Sequence, residues 1–216
     1  MATLLSATGE LRTLADLIKQ LGDIPPERIR LRPPPGTATE QDVIDLEARE
    51  NRLCELVDGV LVEKAMGFRE SLLAGVLIQH LRNYVSQQQL GVVAAPDGMM
   101  RLAPGLVRLP DVAFVSWDRF PGRRVPADPI PDLAPDLAVE VLSKSNTEAE
   151  MARKLREYFG VGVREVWLVD PDARSVEVYT ALDRSTDLSQ SETLTSSELL
   201  PGFALPLRQL FAELDR

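Results

Sequence analysis

The chain has 216 residues, a length typical of one domain with an added arm, and 44% of them are hydrophobic, which excludes global disorder. The net charge of −9, from 24 basic and 33 acidic residues, argues against a broad, non-specific grip on nucleic acid. No apolar stretch approaches the roughly 18 residues of a membrane span. The N-terminus does not have the charged start and the apolar core that are typical of a signal peptide, and the single Cys54 cannot form an internal disulfide, so we expect a cytoplasmic protein.

Residues 1–50 are predicted to form an arm and linker rather than a core of their own. Helical spacing over residues 11–22 indicates a short helix that is ended by two prolines, with apolar positions Leu11, Leu14, Ile18 and Leu21. Three consecutive prolines within residues 30–36 favour an extended linker. Thr39 and Asp42 then have the spacing of a capping box, which predicts a second short helix.

Residues 51–216 are predicted to form the compact domain. Asp58-Gly59 between two apolar runs indicates a hairpin, and a helix is expected at 71–88, ended by Gly91. Thr147 and Glu150 begin another helix that reaches Phe159. Strands are predicted at 92–95, 99–102, 111–116, 137–143, 165–170 and 175–180, and residues 200–203 are expected to turn into a C-terminal helix.

This order of elements predicts an α/β domain with a central mixed β-sheet flanked by helices, preceded by the N-terminal helical arm. The helix that begins at Thr147 lies between the strand of Glu140 and the strand of Trp167. That arrangement is typical of a right-handed parallel crossover.

Two carboxylates are the main candidates for chemistry. Glu140 lies inside an apolar run that is typical of a buried strand, where an unpaired charge is costly. Asp111 follows Pro110 and opens another apolar run. If both point to one side of a sheet, they can share a divalent cation such as Mg²⁺. Taken singly, Asp111 is better explained as a strand-edge carboxylate, whereas for Glu140 the functional interpretation is preferred over an ion pair with an arginine.

Lys154 and Glu55 could complete such a site. Lys154 lies about 60° to one side of the buried stripe of its helix, by the angular spacing of an α-helix, so it can turn outward or reach the carboxylates. There it would orient water or stabilise developing charge. Lys144 is a second candidate in the loop after Glu140. Glu55 is either a third acid near the metal or a solvent-facing strand residue.

Other catalytic chemistries find little support in the sequence. His80 is the only histidine and lies on an apolar helix face, so a core role is preferred and a zinc site of histidines and cysteines is excluded. No nucleophile elbow or phosphate-binding glycine loop is present. Glu150 is best explained as the capping partner of Thr147. Two basic clusters, each better explained alone as solvated charge, are 119–124 and 153–164.

Five segments recur in a known order: Glu55-Leu-Val-Asp-Gly59, the run 108–114, the run 135–143, Lys154-Leu-Arg-Glu-Tyr158 and the run 162–171. Over about residues 38–211 the chain thereby resembles the Uma-type restriction endonucleases, bacterial members of the PD-(D/E)XK superfamily. The superfamily lysine normally stands two residues after the second acid, where this chain has Leu142. The resemblance implies that the lysine has moved to the following helix as Lys154.

The resemblance implies a restriction-endonuclease-like fold and a Mg²⁺- or Mn²⁺-dependent endonuclease that hydrolyses phosphodiester bonds of DNA. Asp111 and Glu140 would bind the metal, Lys154 would serve the catalytic water, and Glu55 would assist. A two-fold dimer would suit double-strand cleavage, so a homodimer is a further expectation. Two alternatives stay open: a non-catalytic nucleic-acid or protein-binding module that retains the fold, and a hydrolase of another phosphorylated substrate.

Overall fold

The computed structural model describes residues 13–65 and 67–215, so Leu11 of the predicted first helix and the N-terminal residues before it lie outside the described part. The α-helices are Leu14–Gln20 (α1), Glu40–Glu50 (α2), Phe68–Gln87 (α3), Glu148–Gly160 (α4) and Leu207–Phe211 (α5). The β-strands are Cys54–Val57 (β1), Val60–Glu63 (β2), Gly91–Ala94 (β3), Met100–Ala103 (β4), Leu106–Arg108 (β5), Val112–Ser116 (β6), Leu137–Val141 (β7), Glu165–Asp170 (β8), Ser175–Ala181 (β9), Arg184–Ser189 (β10), Thr193–Ser196 (β11) and Leu200–Pro206 (β12).

Three sheets organise these strands, and the predicted α/β class is confirmed. The central mixed sheet has six strands in the order β10-β9-β8-β7-β6-β3. Its β7 and β8 are parallel and are connected through α4, as the sequence predicts, while the other pairs are antiparallel. A four-stranded antiparallel sheet has the order β2-β1-β5-β4, and β11 pairs with β12. The chain crosses from the four-stranded to the six-stranded sheet between β5 and β6.

The two faces of the six-stranded sheet carry different side chains. Because side chains alternate along a strand, Val112 and Val139 belong to a core cluster that also contains α3 residues such as Leu77. Ala113 and Ala138 belong instead to the cluster formed with α4. The same alternation places Asp111 and Glu140 on the α4 face.

The residues before β1 pack mainly against the β1–β2 hairpin. Leu17 of α1 and Leu21, which follows that helix, are buried with Val57, Val60 and Val62. The predicted capping box of Thr39 and Asp42 is confirmed at the start of α2. The division of the chain into an arm, 1–50, and a domain, 51–216, stays a prediction.

Several predicted boundaries need correction. Gly91 does not end α3: Gln89 takes the left-handed conformation with a φ of 54°, and Gly91 begins β3, where a Cβ atom would collide with the carbonyl oxygen of Val115. Residues 200–203 belong to β12 rather than to a turn, because Leu200 and Phe203 are buried in the core that contains α3. The sequence patterns do not predict the strands β5, β10, β11 and β12. None of the helices that the structure describes combines the length and the apolar character that a bilayer-crossing segment requires.

Candidate active site between the two sheets

Asp111 is fixed beside Glu140 by the backbone of β7. It lies just before β6, where its main-chain N–H donates to the carbonyl oxygen of Val139 at 2.9 Å. Its Oδ2 atom accepts a 2.7 Å hydrogen bond from the main-chain N–H of Val141. These two bonds reach the residues on either side of Glu140, so the carboxylate of Asp111 is held next to that position on the α4 face.

Glu140 is buried in the middle of the site, with 5% of its surface exposed. Its Oε2 atom accepts from Lys154 Nζ at 3.0 Å, and its Oε1 atom accepts from the hydroxyl of Tyr158 at 2.5 Å. Both partners lie on α4, one turn apart. The arginine partner considered from the sequence is therefore replaced by a lysine and a tyrosine.

Lys154 joins Glu140 to Glu55, which comes from the other sheet. Its Nζ atom lies 3.2 Å from Glu55 Oε1, and both side chains are buried. The outward-facing alternatives for Lys154 and Glu55 are thereby excluded. Lys154 contacts both Glu55 and Glu140, and Asp111 lies beside Glu140, so the structure brings the predicted site residues together.

Two further cationic residues in the site were missed by the sequence reasoning. Lys64, just after β2, places its Nζ atom 2.9 Å from Asp111 Oδ1 and also donates to the carbonyl oxygen of Leu109. Arg108, at the end of β5, donates from Nη1 to Glu55 Oε2 at 2.6 Å. The available signals were weak: Lys64 ends an apolar run, and Arg108 precedes Pro110 and Asp111.

The Tyr158 hydroxyl was also missed as a site group, although Tyr158 was correctly assigned to the buried stripe of α4 together with Met151 and Leu155. A buried tyrosine hydroxyl needs a hydrogen-bond partner. Because one helical turn separates Tyr158 from Lys154, the same carboxylate can serve both residues.

The ion pairs extend beyond the candidate site toward the arm. Arg108 Nε donates to Glu157 Oε2 at 2.8 Å, and Arg153 donates to Glu157 Oε1 at 2.7 Å and to Asp58 Oδ2 at 2.8 Å. Arg153 is therefore part of an internal network, together with Lys154, rather than of a basic surface patch. Among the residues that the structure describes, every buried side-chain nitrogen and oxygen has a hydrogen-bond partner.

Burial and neighbouring charges shift the pKa values of the site groups in opposite directions. Burial alone would raise the pKa of Glu55, but Lys154, Arg108 and Lys64 hold it well below its ordinary value. Burial raises the pKa of Glu140, and the negative charges of Asp111 and Glu55 add to this effect against the opposing charge of Lys154. The pKa values of the two glutamates are therefore shifted to opposite sides of the ordinary glutamate value.

The pKa values of Lys154 and Tyr158 both lie above their ordinary values. Burial opposes the charged form of Lys154, but the carboxylates of Glu140 and Glu55 outweigh it and raise its pKa. Burial, together with the same two carboxylates, raises the pKa of Tyr158 well above its ordinary value. At neutral pH both side chains therefore keep their protons and act as hydrogen-bond donors.

An open cleft of about 650 Å³ adjoins the site at Lys64 and Leu142. Lys144 lies in the loop that follows β7, as predicted, and it is exposed in this cleft. Charges of both signs line the cleft: Arg28, Lys64, Arg69 and Lys144 are basic, and Glu27, Glu63, Glu70 and Asp172 are acidic. Asp111 itself does not line the cleft, so Lys64 connects the cleft to the candidate site.

The donor set suits a hard divalent cation held by two carboxylates. Within residues 13–65 and 67–215, no three histidine, cysteine, aspartate or glutamate side chains are grouped so that they could hold a metal. Mg²⁺ is commonly bound by one or two carboxylates, with waters and substrate phosphates completing its shell. Asp111 and Glu140 therefore fit Mg²⁺ or Mn²⁺ in type and number of ligands.

Two other residues that the sequence analysis considered have roles away from these contacts. His80 is half-buried on α3. The side chain of Glu150 does not complete a capping box: it forms a buried ion pair with Arg28 at 2.9 Å, while only its main-chain N–H is capped by Thr147. The stronger attraction of the arginine explains why the carboxylate turns away from the cap.

Comparisons with known proteins identify the family and the fold of the chain. Residues 40–208 match the model of the family Uma2, described as "Putative restriction endonuclease". Among solved structures, the chain is similar to a protein from Anabaena variabilis described as "a putative nuclease belonging to DUF820", with a TM-score of 0.67 and 20% identity, over 76% of this chain and 92% of that chain. At this identity the likeness shows the fold. A search of curated proteins found no match.

Proposed function

Because the chain belongs to the Uma2 family, we propose that it is a Mg²⁺- or Mn²⁺-dependent endonuclease that hydrolyses phosphodiester bonds of DNA. The observation that carries this proposal is the contact of buried Glu140 with Lys154 and, through Lys154, with Glu55, directly beside Asp111. These residues come from β1, β7 and α4, which meet beside an open cleft. A scaffold that needed only stability would not require this concentration of buried charge.

Asp111 Oδ2 and Glu140 Oε1 accept from Val141 and Tyr158. Asp111 Oδ1 and Glu140 Oε2, which contact the ammonium groups of Lys64 and Lys154, are the oxygens that would hold the metal ion in place of those contacts. A bound Mg²⁺ supplies Lewis-acid polarisation of a phosphoryl oxygen and a more acidic water. The main-chain and tyrosine donors fix the orientation of both carboxylates before any ion arrives.

Lys154 would act as a hydrogen-bond donor and a positive charge rather than as a general base. Its raised pKa keeps it protonated at neutral pH, and an ammonium cannot accept a proton. Glu55 is a positioning residue in this scheme, since it holds Lys154 in place from the side opposite Glu140. Arg108 in turn fixes Glu55.

The test is cleavage of single-stranded, double-stranded and structured DNA by the purified protein with Mg²⁺ or Mn²⁺. Glu140→Gln and Asp111→Asn should each lower the rate by at least ~100-fold, the scale reported for removing one group that stabilises a transition state. Glu165→Gln is a matched control, because Glu165 is also a buried strand glutamate but bonds to Trp167 and Ser196 instead. It should retain cleavage. Absence of cleavage on all three substrates, despite bound metal, would contradict the proposal.

A specific observation favours a second candidate, a non-catalytic binding module that retains the fold. Lys64 and Lys154 already neutralise Asp111 and Glu140, so the network is electrostatically complete without an ion. This candidate predicts a nucleic-acid or protein complex that survives chelation and the change Asp111→Ala. A requirement of that complex for divalent metal would exclude it.

A further inference from the structure

Lys64 is placed between the candidate metal site and the cleft. It follows β2, only 8% of its side chain is exposed, and its Nζ atom lies 2.9 Å from Asp111 Oδ1. The same side chain lines the open cleft. The other oxygen of Asp111 is occupied by the main-chain N–H of Val141. Lys64 therefore covers the one carboxylate oxygen of Asp111 that the described backbone leaves available to a cation.

The two lysines of the site are held differently. Lys154 lies between two carboxylates, with Glu140 Oε2 at 3.0 Å and Glu55 Oε1 at 3.2 Å. If an ion took Glu140 Oε2, Lys154 would still keep its charged partner Glu55. Among the described residues, Lys64 forms one direct ion pair, with Asp111, and also donates to the neutral carbonyl of Leu109. Glu55 and Glu140 act on Lys64 only at longer range, so losing Asp111 would remove its one direct carboxylate partner. Lys64 is thus the amine that can be released.

We propose that Lys64 is an internal cation that a divalent ion displaces from Asp111, and that its ammonium then turns into the cleft, where it faces the substrate phosphodiester. This inference rests on the proposed function, since it takes Asp111 as a metal ligand. A divalent ion and an ammonium on the same Oδ1 atom would place two positive charges in close, poorly screened contact. The flexible four-carbon stem of lysine and the adjoining open space permit the movement.

The first test is isothermal titration calorimetry, in which Mg²⁺ is added to the protein in the absence of DNA. Lys64→Met should bind Mg²⁺ at least tenfold more tightly than the unmodified protein, because the competing charge is gone. Lys144→Met is the matched control, since Lys144 lines the same cleft but is exposed, and it should change the affinity less than twofold. Equal or weaker binding by Lys64→Met, or an equal gain in Lys144→Met, would overturn the proposal.

Lys64→Gln guards against a folding defect in the methionine variant. Its amide can still donate to the carbonyl oxygen of Leu109 but carries no charge, so the same tightening is expected. A folded Lys64→Gln protein that binds Mg²⁺ no more tightly than the unmodified chain would count against the displacement.

The second test follows the movement directly by acetylation of lysine amines and mass spectrometry, with and without Mg²⁺. Labelling of Lys64 should rise several-fold when the ion is added, while Lys154 stays protected and Lys144 is labelled equally in both states. Continued protection of Lys64 at a saturating Mg²⁺ concentration would show that it does not leave.

The variants Asp111→Asn and Glu140→Gln separate this inference from the proposed function. If both bind Mg²⁺ as the unmodified protein does, the ion lies elsewhere and both proposals fail. If both lose binding while Lys64→Met gains no affinity, only the role of Lys64 fails. Absence of Mg²⁺ binding in every variant would overturn both.

Discussion

The two faces of the central strand β7 are both buried but are stabilised by different interactions. Val139 and Glu140 are neighbours in β7, with 0% and 5% of their surfaces exposed. Val139 packs among apolar side chains against α3, whereas Glu140 is held by Lys154 and Tyr158 of α4. Apolar burial is favourable in itself, but a buried ion pair roughly breaks even against the apolar residues that could replace it.

The α4 face also has an apolar cluster, which contains Ala113 and Ala138, so the difference lies in the arrangement of buried charges that this face adds. On the α4 face each charge depends on a partner contributed by another element, so the loss of one residue leaves its partner buried and unpaired. On the α3 face the loss of one side chain leaves a cavity. Single substitutions on the two faces should therefore destabilise the protein in these two different ways.

Trp167→Ala should produce the largest loss of stability. Trp167 is fully buried, stacks on Phe203 and donates from Nε1 to Glu165 at 2.6 Å. Removing a large core aromatic costs about 3–5 kcal/mol, and here it also leaves a carboxylate oxygen without its donor. Urea unfolding should show this loss. Trp167→Phe, which keeps a stacked ring, should lose clearly less stability than Trp167→Ala. An equal loss would show that the indole hydrogen bond, rather than packing, accounts for the contribution of Trp167.

Arg108→Met should be the most damaging change on the charged face. The change removes the guanidinium that pairs with the buried carboxylates of Glu55 and Glu157. We expect a loss of about 3 kcal/mol of stability, the lower end of the usual range for breaking a buried ion pair. The lower end is expected because Lys154 and Arg153 remain as partners. Urea unfolding measures the loss. The double variant Arg108→Met with Glu55→Gln should recover part of it, and additive losses would contradict the pairing argument.

Much of the α4 face could be predicted from local sequence signals. The apolar run around Glu140 and the helical spacing after Thr147 predict β7 and α4, and the resemblance to a family identifies Lys154. Arg108 could not be found in this way, since β5 has only three residues between turns and shows no periodicity. The contact of Lys64 with Asp111 joins two sheets, and such a tertiary contact has no local signature in the sequence.

Glu55→Gln and Glu140→Gln should respond to pH with opposite signs. The pKa of Glu55 is lowered in the folded protein, so its contribution is present above the ordinary value of 4.5 and is lost as the pH falls below it. The pKa of Glu140 is raised, so its contribution is present below 4.5 and is lost as the pH rises through the folded value.

At pH 7, Glu55→Gln should therefore cost about 1.5–3 kcal/mol, the range for hydrogen bonds to charged groups, and the cost should shrink as the pH is lowered. Glu140→Gln should gain stability relative to the unmodified protein as the pH rises above 4.5. Urea unfolding between pH 3 and 8 measures both differences, because the cost of Glu55→Gln changes only below the ordinary pKa of 4.5. Parallel pH profiles for the two variants would show that the two glutamates share one environment, against the contacts described here.

Thr147→Ala should have the smallest effect, because it changes the scaffold that carries the charged face but none of the charges. The Thr147 hydroxyl accepts from the main-chain N–H of Glu150 at 3.0 Å and donates to the carbonyl of Gly22 in the arm. Loss of such an N-cap costs about 1 kcal/mol, and Lys154 lies well beyond the first turn that would fray. We expect a stability loss in urea with Mg²⁺ binding retained, and Thr147→Ser should restore stability because serine caps at least as well. Loss of Mg²⁺ binding in Thr147→Ala alone would mean that the junction of the arm with α4, rather than the pairing of charges, fixes the site.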